Sequence, residues 1–485
     1  MKVLLVNPPS LESSLLADVS VPRLPWSLAY LAGVLEQGGH DVQILDLYPI
    51  HDPQEVKQRI LGCKSSLVGI TATTPYIHSA YHLARMFKTS HPETIIVLGG
   101  WHPSALPERT LEECPSIDII VRGEGEMTLL ELCNSIDSHG MDTSTLSRIL
   151  GLTFKSKEGG IESTPARPLI QDLDTLPFPA VHLLPMDEYP EDMSNLGAVF
   201  SKDDKFSLLI TSRGCPFNCL FCADGLMYRQ TTRYRSIENV IEEIKFMKKH
   251  YGINFFGIID PDFLQKPERV YLFCRTLIKE HIKIKWGCQA RVDTIPPGLL
   301  RLMKATGCYR IYYGVESGSP RILKKINKRI KLSQAHKVIQ MTKEAGILVI
   351  INMMLGLPGE REEDIVASWK LIKDLSPDNV YLNLTKPLPG SELFDRYFQA
   401  LPESEKKRIT WSDFYFTVEY VESRDFSFRN LPLEKIRHFQ RLIMIDYYFS
   451  ISFLKKVLLD LKSFRHFKFY VRAFLAMLYA ILTRG

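Results

Sequence analysis

Several features are scarce or missing in this chain of 485 residues. No apolar run reaches the roughly 18–20 residues that a membrane-spanning helix needs, which argues against an integral membrane protein. Cysteine is rare, with nine residues. This odd number and the lack of a secretory signal indicate the reducing cytosol and argue against a disulfide-bonded secreted domain. A large charge imbalance is also missing, because the net charge is only +5.

That small net charge is unevenly placed. Residues 451–485 contain seven Lys or Arg and one acidic residue, a net charge of +6, so the other 450 residues carry −1. The stretch from Phe464 to Leu482 is both basic and apolar. It has two interpretations, a helix lying on an anionic membrane surface or a terminal helix docked on the protein. A nucleic-acid partner is not expected, because the tail is highly apolar and no Lys/Arg patch with stacking geometry can be assigned.

The length predicts two or three domains, because single hydrophobic cores stop growing near ~250–300 residues. Residues 1–150 alternate strand and helix, which predicts a doubly wound parallel sheet of the Rossmann type. Ligands of such sheets bind beyond the carboxyl ends of the strands. Four loops fall there, and each alone is also explained by turn chemistry: Asn7-Pro8-Pro9, Thr71–Thr74, Gly99–Ser104 and Arg122–Glu126.

Three further segments follow this domain. Residues 151–202 are predicted to be a proline-rich linker, since each proline disfavours helix at its own and the preceding position. Residues 203–401 alternate strand and helix again, and six such units indicate an open (β/α)₆ barrel with its functional loops at the strand C-termini. Residues 402–485 are predicted to be mostly helical.

Three cysteines lie within eight residues, in the C-x₃-C-x₂-C pattern formed by Cys215, Cys219 and Cys222. Thiolates this close together suit a metal centre better than disulfides. A 4Fe–4S cluster normally takes four thiolates, so three would leave one iron open for a substrate or cofactor. Zinc is the alternative, but its cysteines usually come in two pairs or with a histidine pair. The other six cysteines are isolated.

The C-x₃-C-x-aromatic-C pattern, with Phe221 as the aromatic residue, follows an apolar run of strand length and resembles the radical S-adenosylmethionine superfamily. The resemblance implies that S-adenosylmethionine binds the open iron, and that one electron cleaves it to a 5′-deoxyadenosyl radical. It places the cofactor beside residues at successive strand ends, with Asp260 or Asp262 standing where many relatives carry Gly-Gly-Glu-Pro. The implied cofactor residues are Phe221, Asp260, Asp262, Arg291, Glu316 and Gly356. The resemblance implies that Asp260 or Asp262 binds the cofactor amine and that Arg291 binds its carboxylate. It also implies that Glu316 accepts from the hydroxyl or amine groups of the cofactor, and that the loop of Gly356 frames its adenine.

The loops of the first domain, placed before such a barrel, resemble the cobalamin-binding domain of cobalamin-dependent radical S-adenosylmethionine enzymes. The resemblance covers residues 1 to about 400. The D-x-H-x-x-G signature that supplies a cobalt-binding histidine is absent, so His102 is expected to be a hydrogen-bond partner and not an axial ligand. The implied cobalamin residues are Asn7, Thr71, Thr73, Gly99, Gly100, His102, Gly123, Glu124, Gly125 and Glu126.

This family includes class B methyltransferases and proteins similar to the anaerobic magnesium-protoporphyrin ester cyclase. It implies methylation of an unactivated carbon, with no dedicated catalytic side chain for the methyl transfer itself. The alternatives are a cyclase, an oxidoreductase or a carbon–carbon bond-forming enzyme, or a non-catalytic cobalamin or cluster sensor. The basic apolar tail favours a hydrophobic small-molecule substrate such as a lipid, terpenoid or tetrapyrrole. A flavodoxin- or ferredoxin-type electron donor, and a cytoplasmic location with peripheral contact to the inner face of the membrane, complete the expectation.

Overall fold

The computed structural model describes residues 1–9, 24–156, 159–186, 189, 204–293, 295, 296, 298–414, 426–460 and 471. The chain forms two compact units. The first unit contains residues 1–190, 223–229 and 388–420. The second contains residues 191–222, 230–387 and 421–485.

The first unit is built on a seven-stranded sheet with the order β2-β1-β3-β4-β5-β6-β7. Its first five strands pair in parallel, and the strand order reverses between β1 and β3, the position where doubly wound sheets bind ligands. The strands are β1 Lys2–Asn7, β2 Asp41–Asp46, β3 Leu67–Thr71, β4 Ile95–Gly99, β5 Ile119–Val121, β6 Leu152–Lys155 and β7 Ile161–Ser163.

The last two strands correct the boundary predicted at residue 150. Strand β6 pairs antiparallel with β5, and β7 pairs antiparallel with β6, so the sheet continues into the predicted linker. The Arg122 guanidinium fastens this edge by donating to the Leu152 carbonyl at 3.0 Å. The sequence pattern missed both strands because they are only four and three residues long and lie close to glycines and prolines.

The helices of the first unit cover both faces of this sheet. Helix α1 is apolar on nearly all sides because it is buried, and its residues join one core with side chains from the strands. The helices are α1 Trp26–Gln37, α2 Pro53–Leu61, α3 Ile77–Ser90, α4 Trp101–Ala105, α5 Pro107–Glu113, α6 Glu126–His139, α7 Thr143–Leu146, α8 Asp224–Tyr228, α15 Glu392–Ala400 and α16 Glu403–Lys406.

The second unit contains a six-stranded parallel sheet in which every strand neighbours the next one along the chain. Its first and last strands pair on one side only, which confirms the predicted open (β/α)₆ architecture. The strands are β8 Phe206–Leu209, β11 Phe255–Ile258, β12 Lys285–Ala290, β13 Cys308–Glu316, β14 Leu348–Leu355 and β15 Asn379–Leu384.

The helices between these strands begin and end at common capping residues. For example, the Ser236 hydroxyl accepts from the Asn239 amide at the start of α9, and Gly252 ends that helix with a φ of +69°. The helices of this unit are α9 Ile237–Tyr251, α10 Pro267–Lys279, α11 Leu299–Ala305, α12 Pro320–Lys325, α13 Leu332–Glu344, α14 Glu362–Leu375, α17 Leu433–Tyr448 and α18 Ile451–Asp460.

A short antiparallel ribbon completes the second unit, formed by β9 Ser212–Arg213 and β10 Arg233–Tyr234. Helices α17 and α18 agree with the expected helical C-terminal region. The basic apolar stretch from Phe464 to Leu482 lies outside the described residues, apart from Val471. None of the helices in the described part of the chain is long and apolar enough to cross a membrane.

Candidate functional site

The three clustered cysteines lie in the loop that follows β8 and β9. The loop starts at Gly214, whose φ of +87° suits glycine, and the Cys222 amide donates to the Cys219 carbonyl at 3.0 Å. Cys215 and Cys219 are partly exposed and Cys222 is exposed, while five of the other six thiols are buried. Reactive or metal-binding thiols need this accessibility, so the loop fits a cluster.

The three thiols of this loop do not converge on one point in the described structure. Among the described residues, no three His, Cys, Asp or Glu side chains are placed so that they could hold one metal ion. Residues 214–222, which we call the cluster loop, are held to the segment that follows α12, since the Leu220 amide donates to the Ile326 carbonyl at 3.0 Å. Phe221, expected to contact the cofactor, is half-buried.

Asp260 and Asp262 follow β11, and the structure separates their roles. Asp260 is buried and accepts from the Thr211 amide at 2.7 Å, from the Thr211 hydroxyl at 2.5 Å and from the Ser212 hydroxyl at 2.7 Å. Burial raises the pKa of this carboxyl, and the three donors oppose that rise. Asp260 therefore anchors β9 before the cluster loop, and because both of its oxygens already accept hydrogen bonds it is the weaker of the two candidates for the cofactor amine.

Asp262 is the better candidate for a ligand contact. Its Oδ1 accepts from the Arg291 amide at 3.3 Å, whereas its buried Oδ2 has no hydrogen-bond partner among the described residues. Burial raises the pKa of Asp262 to about 6. An unsatisfied buried carboxylate oxygen is costly unless a ligand pairs with it, so Asp262 fits the amine of S-adenosylmethionine.

Arg291 differs from the expectation that it holds the cofactor carboxylate. Its Nε and Nη2 each lie 3.0 Å from an oxygen of Asp293, and Nη2 also donates to the Lys328 carbonyl at 2.8 Å. The guanidinium carbon lies 3.7 Å from the ring centroid of Phe217, in the cluster loop. Burial acts to lower the pKa of Arg291, but Asp293 raises it, so Arg291 is a cation that braces the cluster loop.

Glu316 ends β13 in a strained conformation. Its φ is +69°, and the pairing of β13 with β14 shifts register between Gly314 and Glu316. Its Oε1 accepts from the Lys328 ammonium at 2.9 Å in a pair that is nearly buried. A side chain at Gly314 would lie 2.6 Å from Glu316 Oε1 and 2.8 Å from Lys328 Nζ, so only glycine leaves room for this pair.

Lys328 is a site residue that sequence reasoning missed. Burial lowers its pKa, but Glu316 and then Cys219 raise it, so it stays charged beside the cluster loop. A buried cation near a thiolate stabilises the negative charge that cluster ligands carry. The available signal was the run of basic residues that begins at the end of α12.

The loop after β14 carries Gly356, whose φ is +74°. Glu360, at the end of the same loop, was not singled out from the sequence. Its Oε2 accepts from the Gly356 amide at 2.6 Å and from the Leu357 amide at 3.3 Å, and burial raises its pKa to about 8. Glu360 thus shapes the backbone that was expected to frame the adenine.

In the first unit, the predicted cobalamin residues lie at the carboxyl ends of the sheet, but several are already engaged. The side-chain amide Nδ2 of Asn7 donates to Asp46 Oδ1 at 2.8 Å, and the Tyr189 hydroxyl donates to Asp46 Oδ2 at 2.7 Å. Glu124 Oε2 accepts from the Ile170 amide at 3.0 Å, which ties the segment after β7 to the sheet. Asn7 and Glu124 therefore shape the rim of the sheet.

His102 is a buried side chain whose Nδ1 lies 3.1 Å from the Thr74 hydroxyl. Its ring packs edge-on against Trp411 with a centroid distance of 4.6 Å, and burial lowers its pKa to about 3. Its role as a hydrogen-bond partner agrees with the sequence expectation. Trp411 is itself buried, and its indole Nε1 donates to Glu113 Oε2 at 2.7 Å, so Trp411 is an anchor within the first unit.

The remaining predicted residues lie at the same edge of the sheet. Thr71 ends β3, Thr73 is exposed, and Gly99 ends β4. Gly100 has a φ of +104°, and a side chain there would lie 2.7 Å from the Ala72 carbonyl oxygen. Gly123 has a φ of +75°, with no atom within 4 Å of where its side chain would project.

Beyond Gly123, the same loop leads directly into the next helix. Gly125 precedes α6, which begins at the buried Glu126. Gly123 leaves open backbone that a flat, bulky ligand can approach closely, whereas Gly100 lets its own loop pass close to the backbone of Ala72. This edge of the sheet therefore fits a large, flat cofactor such as cobalamin.

Comparisons with known proteins agree with this arrangement. The Radical SAM superfamily model matches residues 209–372, and the B12 binding domain model matches residues 14–133. The chain is 34% identical over 465 residues to an uncharacterized methyltransferase of Pyrococcus horikoshii, covering 96% of both chains. It is 30% identical over 398 residues to the anaerobic magnesium-protoporphyrin IX monomethyl ester cyclase of Rubrivivax gelatinosus, covering 81% of this chain and 69% of that protein.

The fold is also that of a solved structure. The cobalamin-dependent S-adenosylmethionine radical enzyme OxsB, with aqua-cobalamin and S-adenosylmethionine bound, matches with a TM-score of 0.71 at 18% identity, over 99% of this chain and 72% of that chain. These matches confirm the predicted fold class and cofactors. The chain belongs to the cobalamin-binding radical S-adenosylmethionine enzymes, whose cofactors are a 4Fe–4S cluster, S-adenosylmethionine and cobalamin.

Proposed function

We propose that this enzyme methylates an unactivated carbon of a hydrophobic small molecule. The observation that carries the proposal is the similarity, along 96% of both chains, to a protein named as a methyltransferase. The presence of both cofactor domains in one chain supports it, because a radical centre and a methyl carrier are both needed to methylate carbon that is not nucleophilic.

The residues of the second unit hold and orient the cofactors in this proposal. Cys215, Cys219 and Cys222 ligate the cluster, and Asp262 Oδ2 receives the amine of S-adenosylmethionine. The Glu316–Lys328 pair supplies both a carboxylate and a fixed cation at the end of β13. When bound, the cluster and S-adenosylmethionine supply the radical that removes hydrogen, and cobalamin supplies the methyl group.

The first unit binds the methyl carrier, and its buried histidine His102 is enclosed by protein side chains. His102, enclosed by Thr74 and Trp411, is neutral at physiological pH because burial lowers its pKa to about 3. The open backbone at Gly123 lets the cofactor approach this edge of the sheet closely. The protein therefore contributes orientation and exclusion of water, and no side chain is assigned as a proton donor or acceptor.

The test uses S-adenosylmethionine labelled in its methyl group, with reconstituted enzyme and candidate lipid, terpenoid and tetrapyrrole substrates. A methylase transfers the label to product and also releases 5′-deoxyadenosine. Product without label, but with 5′-deoxyadenosine, contradicts methylation and supports the cyclase alternative, which the 30% identity to the Rubrivivax cyclase favours. A fully loaded protein that never releases 5′-deoxyadenosine is a sensor, which contradicts both enzyme proposals.

A matched pair of variants controls this test. Cys219→Ala removes one cluster thiol, so we expect it to abolish 5′-deoxyadenosine release and to leave cobalamin absorbance unchanged. Cys63→Ala removes a partly exposed thiol from the first unit and should change neither signal. Loss of cleavage in both variants would mean that the assay reports general damage.

We also infer two partners. Radical chemistry of this family needs a one-electron donor, for which a flavodoxin- or ferredoxin-type protein is suitable. The exposed apolar side chains Phe449, Ile451 and Leu454, together with the net charge of +6 over residues 451–485, support contact with an anionic membrane at the cytosolic face. Such contact would bring the enzyme to a hydrophobic substrate.

A further inference from the structure

The segment from residue 320 to residue 331 is unusually basic. Six of its twelve residues are Lys or Arg, and none is Asp or Glu. One of the six, Lys328, is buried against Glu316. The other five cations are exposed: Arg321, Lys324, Lys325, Arg329 and Lys331.

Little of this exposed charge is neutralised locally. Arg321 pairs with Asp364 across α12 and α14. Lys324, Lys325, Arg329 and Lys331 form no ion pair with any residue in the described parts of the chain. We call these four side chains the basic patch. It presents four positive charges to solvent.

The basic patch borders the cluster loop directly. The Leu220 amide donates to the Ile326 carbonyl at 3.0 Å, and the Asn327 side-chain amide donates to the Asn218 carbonyl at 3.1 Å. Arg329 Nε in turn donates to Asn327 Oδ1 at 2.7 Å. The segment that carries the patch is therefore hydrogen-bonded to Asn218 and Leu220, the residues on either side of Cys219.

We propose that the basic patch is the docking surface for an acidic one-electron carrier protein of the flavodoxin or ferredoxin class. The proposal rests on the proposed function, since delivery of an electron matters only to a redox-active cluster. The carrier is oxidised by one electron, the 4Fe–4S cluster is reduced by one electron, and no covalent bond forms or breaks. Complementary charge steers such encounters and fixes their orientation.

The chemistry of the patch favours this partner over a membrane or a nucleic acid. The apolar residues of the segment are buried, so no apolar side chain of the segment is offered to a lipid phase: Ile322, Leu323, Ile326 and Ile330. The segment also contains no aromatic residue on which a nucleic-acid base could stack. A purely charged surface beside the redox centre suits a transient, electrostatically steered carrier.

The experiment compares two double charge reversals in the reconstituted holoenzyme. The test variant is Lys324→Glu with Lys325→Glu. The control variant is Lys249→Glu with Lys279→Glu, two exposed lysines at the ends of α9 and α10. Both helices lead into the amino ends of parallel strands, so the control cations lie at the opposite edge of the sheet from the cluster loop. The two variants have the same net charge.

The probe is a reduced bacterial flavodoxin with a negative net charge. Binding is measured by titration calorimetry at low and at high salt, and cluster reduction is followed by stopped-flow absorbance. We expect the test variant to weaken binding and to slow reduction by about 10-fold or more at low salt, with the control close to wild type. High salt should remove the difference, because the charges are exposed. Arg329→Glu with Lys331→Glu is the second test variant, in case the first folds poorly.

A chemical reductant separates this proposal from the proposed function. With dithionite in place of flavodoxin, 5′-deoxyadenosine release should be equal in the test variant, the control and the wild type. Equal flavodoxin binding and reduction rates in all variants would overturn the docking proposal and leave the proposed function intact. The same holds if the patch variants lose binding to phosphatidylglycerol vesicles but not to flavodoxin.

Discussion

At the scale of single residues, Asp260 and Asp262 show how burial separates two identical side chains. The sequence Asp-Pro-Asp offers both as ligands, and nothing in it predicts which carboxylate Thr211 and Ser212 satisfy. Of these two carboxylates, only that of Asp262 keeps a buried oxygen without a hydrogen-bond partner among the described residues. The two side chains therefore give opposite expectations on substitution.

We expect Asp262→Asn to weaken binding of S-adenosylmethionine by about 10-fold or more while sparing stability, because a charge-assisted hydrogen bond contributes ~1.5–3 kcal/mol. Wild-type affinity should also fall as the pH falls through about 6, the pKa to which burial raises Asp262, since the protonated carboxyl no longer attracts an amine. Calorimetric titration of the cluster-loaded protein measures both effects. Asp260→Asn is the matched control, and it should lower the melting temperature. Unchanged affinity of Asp262→Asn would exclude the amine contact.

The Glu316–Lys328 pair gives a second prediction at this scale. Lys328→Met leaves the nearly buried carboxylate of Glu316 without its cation, which costs about 3–5 kcal/mol of unfolding free energy. The double substitution Glu316→Gln with Lys328→Met removes both charges and should recover most of that loss. Urea unfolding of the three proteins measures the difference. Equal stability of wild type and Lys328→Met would show that the pair is not desolvated.

Prediction from sequence places a candidate site residue at a strand end where residue type and chain position suffice. The cysteine spacing and the loops at strand ends are of this kind. It was less successful for side chains whose role depends on neighbours far along the chain. Arg291 is an example, because Asp293 and Phe217 occupy the guanidinium that a fork-shaped donor was expected to offer. Glu360 and Lys328 were missed for the same reason, since only burial distinguishes them from ordinary surface charges.

At the scale of elements, the strands and helices of both sheets followed from apolar runs and turn residues. The apolar run from Leu67 to Thr71, for example, is the whole of β3. The exceptions are β6 and β7, which join the sheet by antiparallel backbone pairing that Arg122 supports by donating to the Leu152 carbonyl. The role of the segment that starts at Trp411 also depends on tertiary structure, since its ring packs on His102 and Arg109.

The packing of α4 against Trp411 predicts an acid-sensitive element. His102 has a pKa near 6.5 when unfolded, and burial lowers it to about 3 in the fold. The stabilisation that the buried, neutral His102 gives to the folded state is therefore fully present above pH 6.5 and is lost as the pH falls toward 3. Between pH 6.5 and 5, this amounts to about 2 kcal/mol.

We expect His102→Asn to lose stability at pH 8 but to show a smaller further loss at pH 5 than wild type, by about 2 kcal/mol in urea unfolding. His250→Asn removes an exposed histidine from α9 and should leave the pH dependence of wild type unchanged. An identical pH dependence for His102→Asn and wild type would mean that His102 is protonated in the folded protein at pH 5.

At the scale of the whole molecule, charge and exposed apolar surface are concentrated at the C-terminal end. Ile451 is 73% exposed and Leu454 is 48% exposed on α18, and the residues from 451 onward carry a net charge of +6. A terminal helix docked on the protein would bury such apolar side chains. Their exposure therefore favours the membrane interpretation, in which apolar contact and attraction to anionic headgroups act together.

We expect the full chain to sediment with vesicles containing phosphatidylglycerol and only weakly with neutral phosphatidylcholine vesicles, with binding reduced at high salt. Ile451→Asp with Leu454→Asp should reduce binding by about 10-fold or more, because it removes apolar burial and adds negative charge. The control Leu272→Asp with Ile278→Asp makes the same change at two exposed positions of α10 and should bind like wild type. If both double variants bind equally well, membrane attachment does not involve α18, and the apolar side chains there serve another contact.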